Sequence, residues 1–214
     1  MISCVIFDMD GVIIDSEPIY MQIEQDLFRE AGLEVSHEEH EKFVGRSDLW
    51  KVLKETYSLD INIAEIHREE NKRFLHIINN SFDGDPIYGV VELVERLYDK
   101  NIKLVLASSS EMKNIELVLT KFELLDYFDL RISGADLETS KPHPEIFEKA
   151  AKLAGVHPKS CLVIEDSANG VQAAKSANMK CKGFRNPNSG NQDLSLADWI
   201  IDSFNEFDLK KFDR

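Results

Sequence analysis

The chain has 214 residues, 43% hydrophobic and 30% charged, enough to bury the core of one large domain or of a core plus an insertion. Its 39 acidic residues against 25 basic ones give a formal net charge of −14, with no Lys/Arg-rich run, which argues against a nucleic-acid partner. Positive charge for an anionic substrate would have to be supplied locally, by a lysine, an arginine, backbone N–H groups or a metal.

The first apolar run, Val5-Ile6-Phe7, ends in Asp8-Met9-Asp10-Gly11. It reads as a buried strand whose carboxyl end delivers two carboxylates one residue apart into a crevice. It is too short to span a membrane, and no leader is expected before it. Ser16 followed by Pro18 predicts a capped helix that runs to Ala31 and stops at Gly32. Ser36 and Glu39 have capping-box spacing for a second helix. From there to Asn80 the pattern stays helical and charged, so residues 16–80 read as an all-helical insertion.

Beyond residue 86 strands and helices alternate. Helices are predicted over 89–99, 111–121, 145–154 and 168–177. Strands are predicted at 102–107, 130–133, 161–164, 180–184 and 199–201, with 183–190 as a loop over the sheet edge. That alternation predicts a doubly wound parallel α/β sheet made of residues 1–15 and 81–214. Cys4, Cys161 and Cys181 lack metal-site spacing and are expected as reduced packing thiols of a cytoplasmic protein.

Four polar clusters end apolar runs: Asp8/Asp10, Ser108, Lys141 and Glu165/Asp166. In open α/β sheets such positions share one crevice. Taken singly, each has an ordinary reading. Ser108 could cap the next helix, Lys141 could be a solvated lysine, and Asp166 or Ser167 could cap a helix. Together they make a device for phosphoryl transfer. Three crowded carboxylates favour a divalent cation, and oxygen-rich coordination suits magnesium. The metal and Lys141 would neutralise a phosphate, and the Ser108 hydroxyl would hydrogen-bond it. Asp8 could then attack phosphorus, while Asp10 moves a proton to the leaving oxygen and from the incoming nucleophile.

At this point the sequence resembles the haloacid dehalogenase superfamily, in the branch with a small helical cap that holds β-phosphoglucomutases and sugar-phosphate phosphatases. The motifs are Phe7-Asp8-Met9-Asp10-Gly11, Leu106-Ala107-Ser108-Ser109-Ser110, Ser140-Lys141-Pro142 and Ile164-Glu165-Asp166-Ser167. The resemblance implies Asp8 as nucleophile, Asp10 as acid/base and Lys141 with them at the catalytic centre. It implies phosphate binding at Ser108 and Ser109. It also implies magnesium held by Asp8, the Asp10 backbone carbonyl and Asp166, with Glu165 supporting through water. Asp10 argues against a true dehalogenase.

In the cap, Gly45-Arg46-Ser47 resembles the substrate loop of the phosphatases, with Arg46 recognising a hydroxyl or phosphate on closure; the alternative is an exposed loop arginine. The positions aligned with the mutase arginine and histidine hold Asp48 and Tyr20, and Glu70 stands near that of the mutase lysine, with Lys72 close by. The expectation is a monomeric, magnesium-dependent phosphatase of a small phosphorylated metabolite, a sugar phosphate. A phosphosugar mutase and a non-catalytic binding protein are the alternatives.

Overall fold

The computed structural model describes residues 1–44 and 48–208. The chain divides into two compact units, one of Met1–Asp15 with Gly84–Arg214 and one of Ser16–Asp83.

In chain order the first unit holds β1 (Cys4–Phe7) and, after the second unit, α5 (Val90–Asp99), β2 (Lys103–Ser108), α6 (Met112–Lys121) and β3 (Leu130–Ser133). Then follow α7 (Glu145–Ala154), β4 (Cys161–Glu165), α8 (Ala168–Ser176), β5 (Lys180–Phe184) and β6 (Trp199–Ile201). All pairings are parallel, in the order β3-β2-β1-β4-β5-β6. This is the doubly wound sheet expected from the alternation of strands and helices. The strand order reverses direction between β1 and β4, which makes that seam the topological switch point.

The strands read as continuous apolar runs because both faces are covered. Cys4, Ile6, Val105, Ala107 and Val163 share one core with Ile146, Phe147 and Ala150 of α7 and Val171 and Ala174 of α8. The α7 residues form an apolar stripe at helical spacing, so the helix lies on the sheet along that stripe. By strand alternation Phe7 points to the other face, where its ring meets Phe128 edge-on at 5.8 Å. All three cysteines are free and buried.

The second unit is all-helical: α1 (Glu17–Glu30), α2 (His37–Glu41), α3 (Leu49–Tyr57) and α4 (Ile63–Asn80). Helices α1 and α4 pack together, with Tyr20 stacked on Phe74 at 4.9 Å. Pro18 sits in the first turn as expected, but Ser16 is not a side-chain cap. Its backbone is already helical (φ −88°, ψ −18°), whereas a capping serine needs extended backbone to turn its hydroxyl onto the first turn. Ser36 does cap, its hydroxyl accepting from Glu39 N at 3.1 Å. Among the described residues no helix is long and apolar enough to cross a membrane.

Candidate active site

The register of the central strands sets the site. Phe7 of β1 pairs with Leu106 of β2 and with Ile164 of β4. Asp8 follows immediately, its N–H donating to Ile164 O at 3.0 Å. Ser108 is the last residue of β2 rather than a helix cap, and Glu165 the last of β4. Three parallel strands therefore release their polar residues at one level.

Beyond Asp8 the chain turns sharply. The N–H groups of Val12, Ile13 and Ile14 all point to Met9 O, and Gly11 takes φ +74°. A Cβ at Gly11 would fall on the Asp166 carboxylate, so glycine is needed both for the backbone angle and for the approach. Asp10 Oδ2 accepts from Ser108 Oγ at 3.2 Å and Ser110 Oγ at 2.9 Å. Ser110 N in turn donates to Ser108 Oγ at 3.0 Å.

Lys141 is not a surface lysine: its side chain is only 8% exposed. Its Nζ bridges Asp8 Oδ1 at 2.7 Å and Glu165 Oε1 at 2.6 Å, over the ring of Phe147. The loop that carries it is closed by Glu145, which accepts from Thr139 N at 3.0 Å, while Thr139 Oγ1 bonds His143 Nδ1. Glu165 is fully buried. Its second oxygen accepts from Ser167 N at 3.1 Å and Ser167 Oγ at 2.9 Å, and Ser167 also caps α8. Gly170 leaves room for this, since a Cβ there would occupy the Glu165 carboxylate.

Electrostatically the cluster is unbalanced. Burial pushes the Asp8 carboxyl up to about 8, with the charges of Glu165 and Asp10 adding and Lys141 opposing. Burial, then the charges of Glu165 and Asp8, hold Asp166 well above the usual carboxylate range. For Lys141 burial works against the charge, but Asp8 and Glu165 outweigh it and hold the ammonium above its ordinary value. Asp8, Glu165 and Asp166 each offer an oxygen, and these atoms lie within 4.8 Å of one another. A set of hard oxygen donors with one ammonium for three carboxylates fits a divalent cation such as magnesium.

The structure thus ties Asp8, Lys141 and Glu165 into one hydrogen-bonded group and Asp10, Ser108 and Ser110 into another, and places Asp166 beside Asp8 and Glu165. Ser109 is exposed, and Ser110, passed over in the sequence, is the second hydroxyl on Asp10. The expected loop over the sheet edge is corrected: Gly183 belongs to β5, and the segment after it bonds inward, Ser189 Oγ donating to Asp166 and Asn186 Nδ2 to Gly11 O at 3.2 Å. Neutral polar residues in a loop give no periodic signal, so the sequence does not announce this contact. Gly45, Arg46 and Ser47 lie outside the described residues.

The sequence profile described as haloacid dehalogenase-like hydrolase matches residues 5–184. The chain is 32% identical over 222 residues to hexitol phosphatase B of Escherichia coli (strain K12), covering 98% of this chain and 96% of that protein. It is 35% identical over 190 residues to the Arabidopsis thaliana protein SUPPRESSOR OF QUENCHING 1, chloroplastic, covering 84% of this chain but only 17% of that much longer protein. The solved β-phosphoglucomutase of Clostridium difficile superposes with a TM-score of 0.82 at 29% identity, over 99% of this chain and 96% of that one.

Proposed function

We propose that this chain, which belongs to the haloacid dehalogenase-like hydrolase family, is a magnesium-dependent phosphatase of a small phosphorylated metabolite, a sugar or polyol phosphate, and works through an aspartyl-phosphate. The observation that carries the reading is the convergence of four chain-distant motifs at the switch point, with Lys141 between Asp8 and Glu165 and Ser108 on Asp10. The likeness to a hexitol phosphatase over nearly the whole chain supports the substrate class.

In this reading Asp8, the Asp10 backbone carbonyl and Asp166 hold the cation, and Glu165 supports it through water. The cation supplies positive charge against phosphate oxygens and keeps nearby carboxylates ionised. Asp8 attacks phosphorus. The bond from phosphorus to the ester oxygen breaks, and Asp10 gives that oxygen its proton. Asp10, now a base, takes a proton from water, which attacks the aspartyl-phosphate and frees inorganic phosphate and Asp8. Ser108, Ser109 and Lys141 hold the phosphoryl oxygens, and Gly45, Arg46 and Ser47 recognise the remainder of the substrate.

Three buried free thiols fit a reducing compartment such as the cytoplasm. A phosphosugar mutase is the second reading, favoured by the likeness to a solved β-phosphoglucomutase. Against it, the positions of the mutase histidine and lysine hold Tyr20, stacked on Phe74, and Glu70, tied to Trp50 and His67, neither of them a cation, and the nearby Lys72 pairs with Glu69.

The test is phosphate release from a panel of sugar and polyol phosphates, with magnesium and with EDTA, beside conversion of β-glucose 1-phosphate to glucose 6-phosphate under a bisphosphate primer. Magnesium-dependent release without isomerisation is expected. Isomerisation with little release would establish the mutase, and silence in both assays would overturn both readings.

A further inference from the structure

The segment after β5 sends side chains back to the turn that follows β1 and to the start of α8 that follows β4. Asn186 Nδ2 donates to Gly11 O at 3.2 Å and to Asp15 Oδ1 at 3.4 Å, on the turn after β1. Asn186 Oδ1 accepts from Asn188 N at 2.9 Å, and Asn188 Nδ2 donates to Asp15 Oδ2. Ser189 N donates to Asn186 O at 3.2 Å. On the other side, Gln192 Nε2 donates to Ser189 O at 3.0 Å, and its Oε1 accepts from Ala168 N, also at 3.0 Å, at the start of α8. Both Asn186 and Ser189 are buried.

Between these two anchors the Ser189 hydroxyl donates to Asp166 Oδ2. Lys141 answers Asp8 and Glu165, whereas the contact on Asp166 is a neutral hydroxyl. A hydroxyl offsets only part of a buried carboxylate's charge, but it fixes the rotation of the group and so the direction of its lone pairs. Gly11 is cut back to hydrogen at the place where Ser189 Oγ and Asp166 Oδ2 meet, since a Cβ there would come 3.0 Å from Ser189 Oγ and closer still to Asp166. Gly11, Ser189 and the two anchors form one arrangement around Asp166, with the second carboxylate, Asp15, bonded at the outer anchor by Asn186 and Asn188.

We infer that Ser189, held in place by Asn186 and Gln192, is a positioning residue that sets the Asp166 carboxylate for a divalent cation. The inference rests on the metal-centre reading above and adds to it the part of the chain that tunes cation affinity. Partners that orient a metal ligand typically change affinity ten- to a hundredfold when removed.

The experiment titrates MgCl2 calorimetrically into the wild-type protein and into Ser189→Ala, Ser189→Thr and Gln192→Ala, with melting curves in EDTA as the folding check. Ser189→Ala is expected to weaken magnesium binding by about ten- to a hundredfold. Ser189→Thr keeps the hydroxyl and stays near wild type, and Gln192→Ala, which loosens Ser189 without removing it, falls between. Wild-type binding matched by an equally tight Ser189→Ala overturns the inference and leaves the metal-centre reading standing. Absence of saturable binding in the wild type overturns the metal-centre reading itself. Should Ser189→Ala not fold, Gln192→Ala takes its place, and unchanged affinity there overturns the inference.

Discussion

Each unit buries a cluster of acids, and the two are balanced differently. In the helical unit Glu24 pairs with His40, while Glu70 accepts from Trp50 Nε1 at 2.5 Å and pairs with His67 Nδ1 at 2.8 Å. Each of these acids has a histidine nitrogen within hydrogen-bond distance. What is left over is small: His40 Nδ1 is buried without a hydrogen-bond partner. In the α/β unit Asp8, Glu165 and Asp166 gather around one ammonium, that of Lys141. Burying unanswered charge costs several kcal/mol per ion. The first cluster is therefore read as architecture that closes on itself, and the second as a place kept open for a ligand of opposite charge.

The largest effect should come from the proposed nucleophile, Asp8. Asp8→Asn removes the attacking oxygen and is expected to lower kcat for phosphate release at least about a thousandfold. Its metal-free fold should melt no lower than wild type, because one of the repelling charges is gone. Residual turnover near the wild-type rate would remove the covalent step. Next, Lys141→Ala leaves Asp8 and Glu165 facing each other in a buried site. It should destabilise the metal-free protein by about 3–5 kcal/mol in urea unfolding, with magnesium restoring part of the loss. A loss below about 1 kcal/mol would mean that the lysine is not the balancing charge.

In the helical unit the expected change is smaller and independent of magnesium. Glu70→Ala strands the buried Trp50 N–H and should cost about 1–3 kcal/mol. Glu70→Gln keeps an acceptor and should cost less. If magnesium rescued Glu70→Ala as well as it rescues Lys141→Ala, the contrast between the clusters would fail.

The smallest effect is that of pH. In the folded metal-free protein, burial raises Asp8 to about 8 and Asp166 in the same direction. Stability from a raised group is complete below its unfolded pKa, about 4 for a carboxyl, and is lost as pH rises through the folded value. Glu24, raised by burial, and His67, raised chiefly by its bond to Glu70, act in the same sense. Protein in EDTA should therefore melt higher at pH 6 than at pH 8. Magnesium competes with those protons, so its stabilisation should be larger at pH 8. Melting curves at the two pH values decide it, and a larger magnesium shift at pH 6 would contradict the assignment.

How much of this was legible depended on periodicity. Strands buried on both faces appear as apolar runs, so β1, β2, β4 and the polar residues at their ends could be placed from sequence alone. The helical insertion was readable as helical, but not its break after Tyr57. There Ser58 takes a left-handed conformation (φ 53°) and Asn62 caps the next helix, inside a charged pattern that looks continuous. In the same helix His67 is half-exposed and paired with Glu70, a contact the charged pattern does not announce. Within Ser108-Ser109-Ser110 nothing in the letters says which hydroxyls turn inward; the exit angle of β2 decides it. Ser189 and Asn186 were invisible for the same reason, since their partners are more than twenty residues away in the chain.

The register of β1 has a consequence for how the protein acquires activity. Side chains in a strand alternate, so a slip of one residue against either β2 or β4 would turn Phe7 to the wrong face and move Asp8 off the level of Ser108 and Glu165. No short segment contains a working fragment of the site, because its parts are brought together only by strands distant in sequence. Such pairings close late and together. Recovery of turnover during refolding is thus a clock for the zippering of three strands, and a partly folded chain should be catalytically silent rather than weakly active.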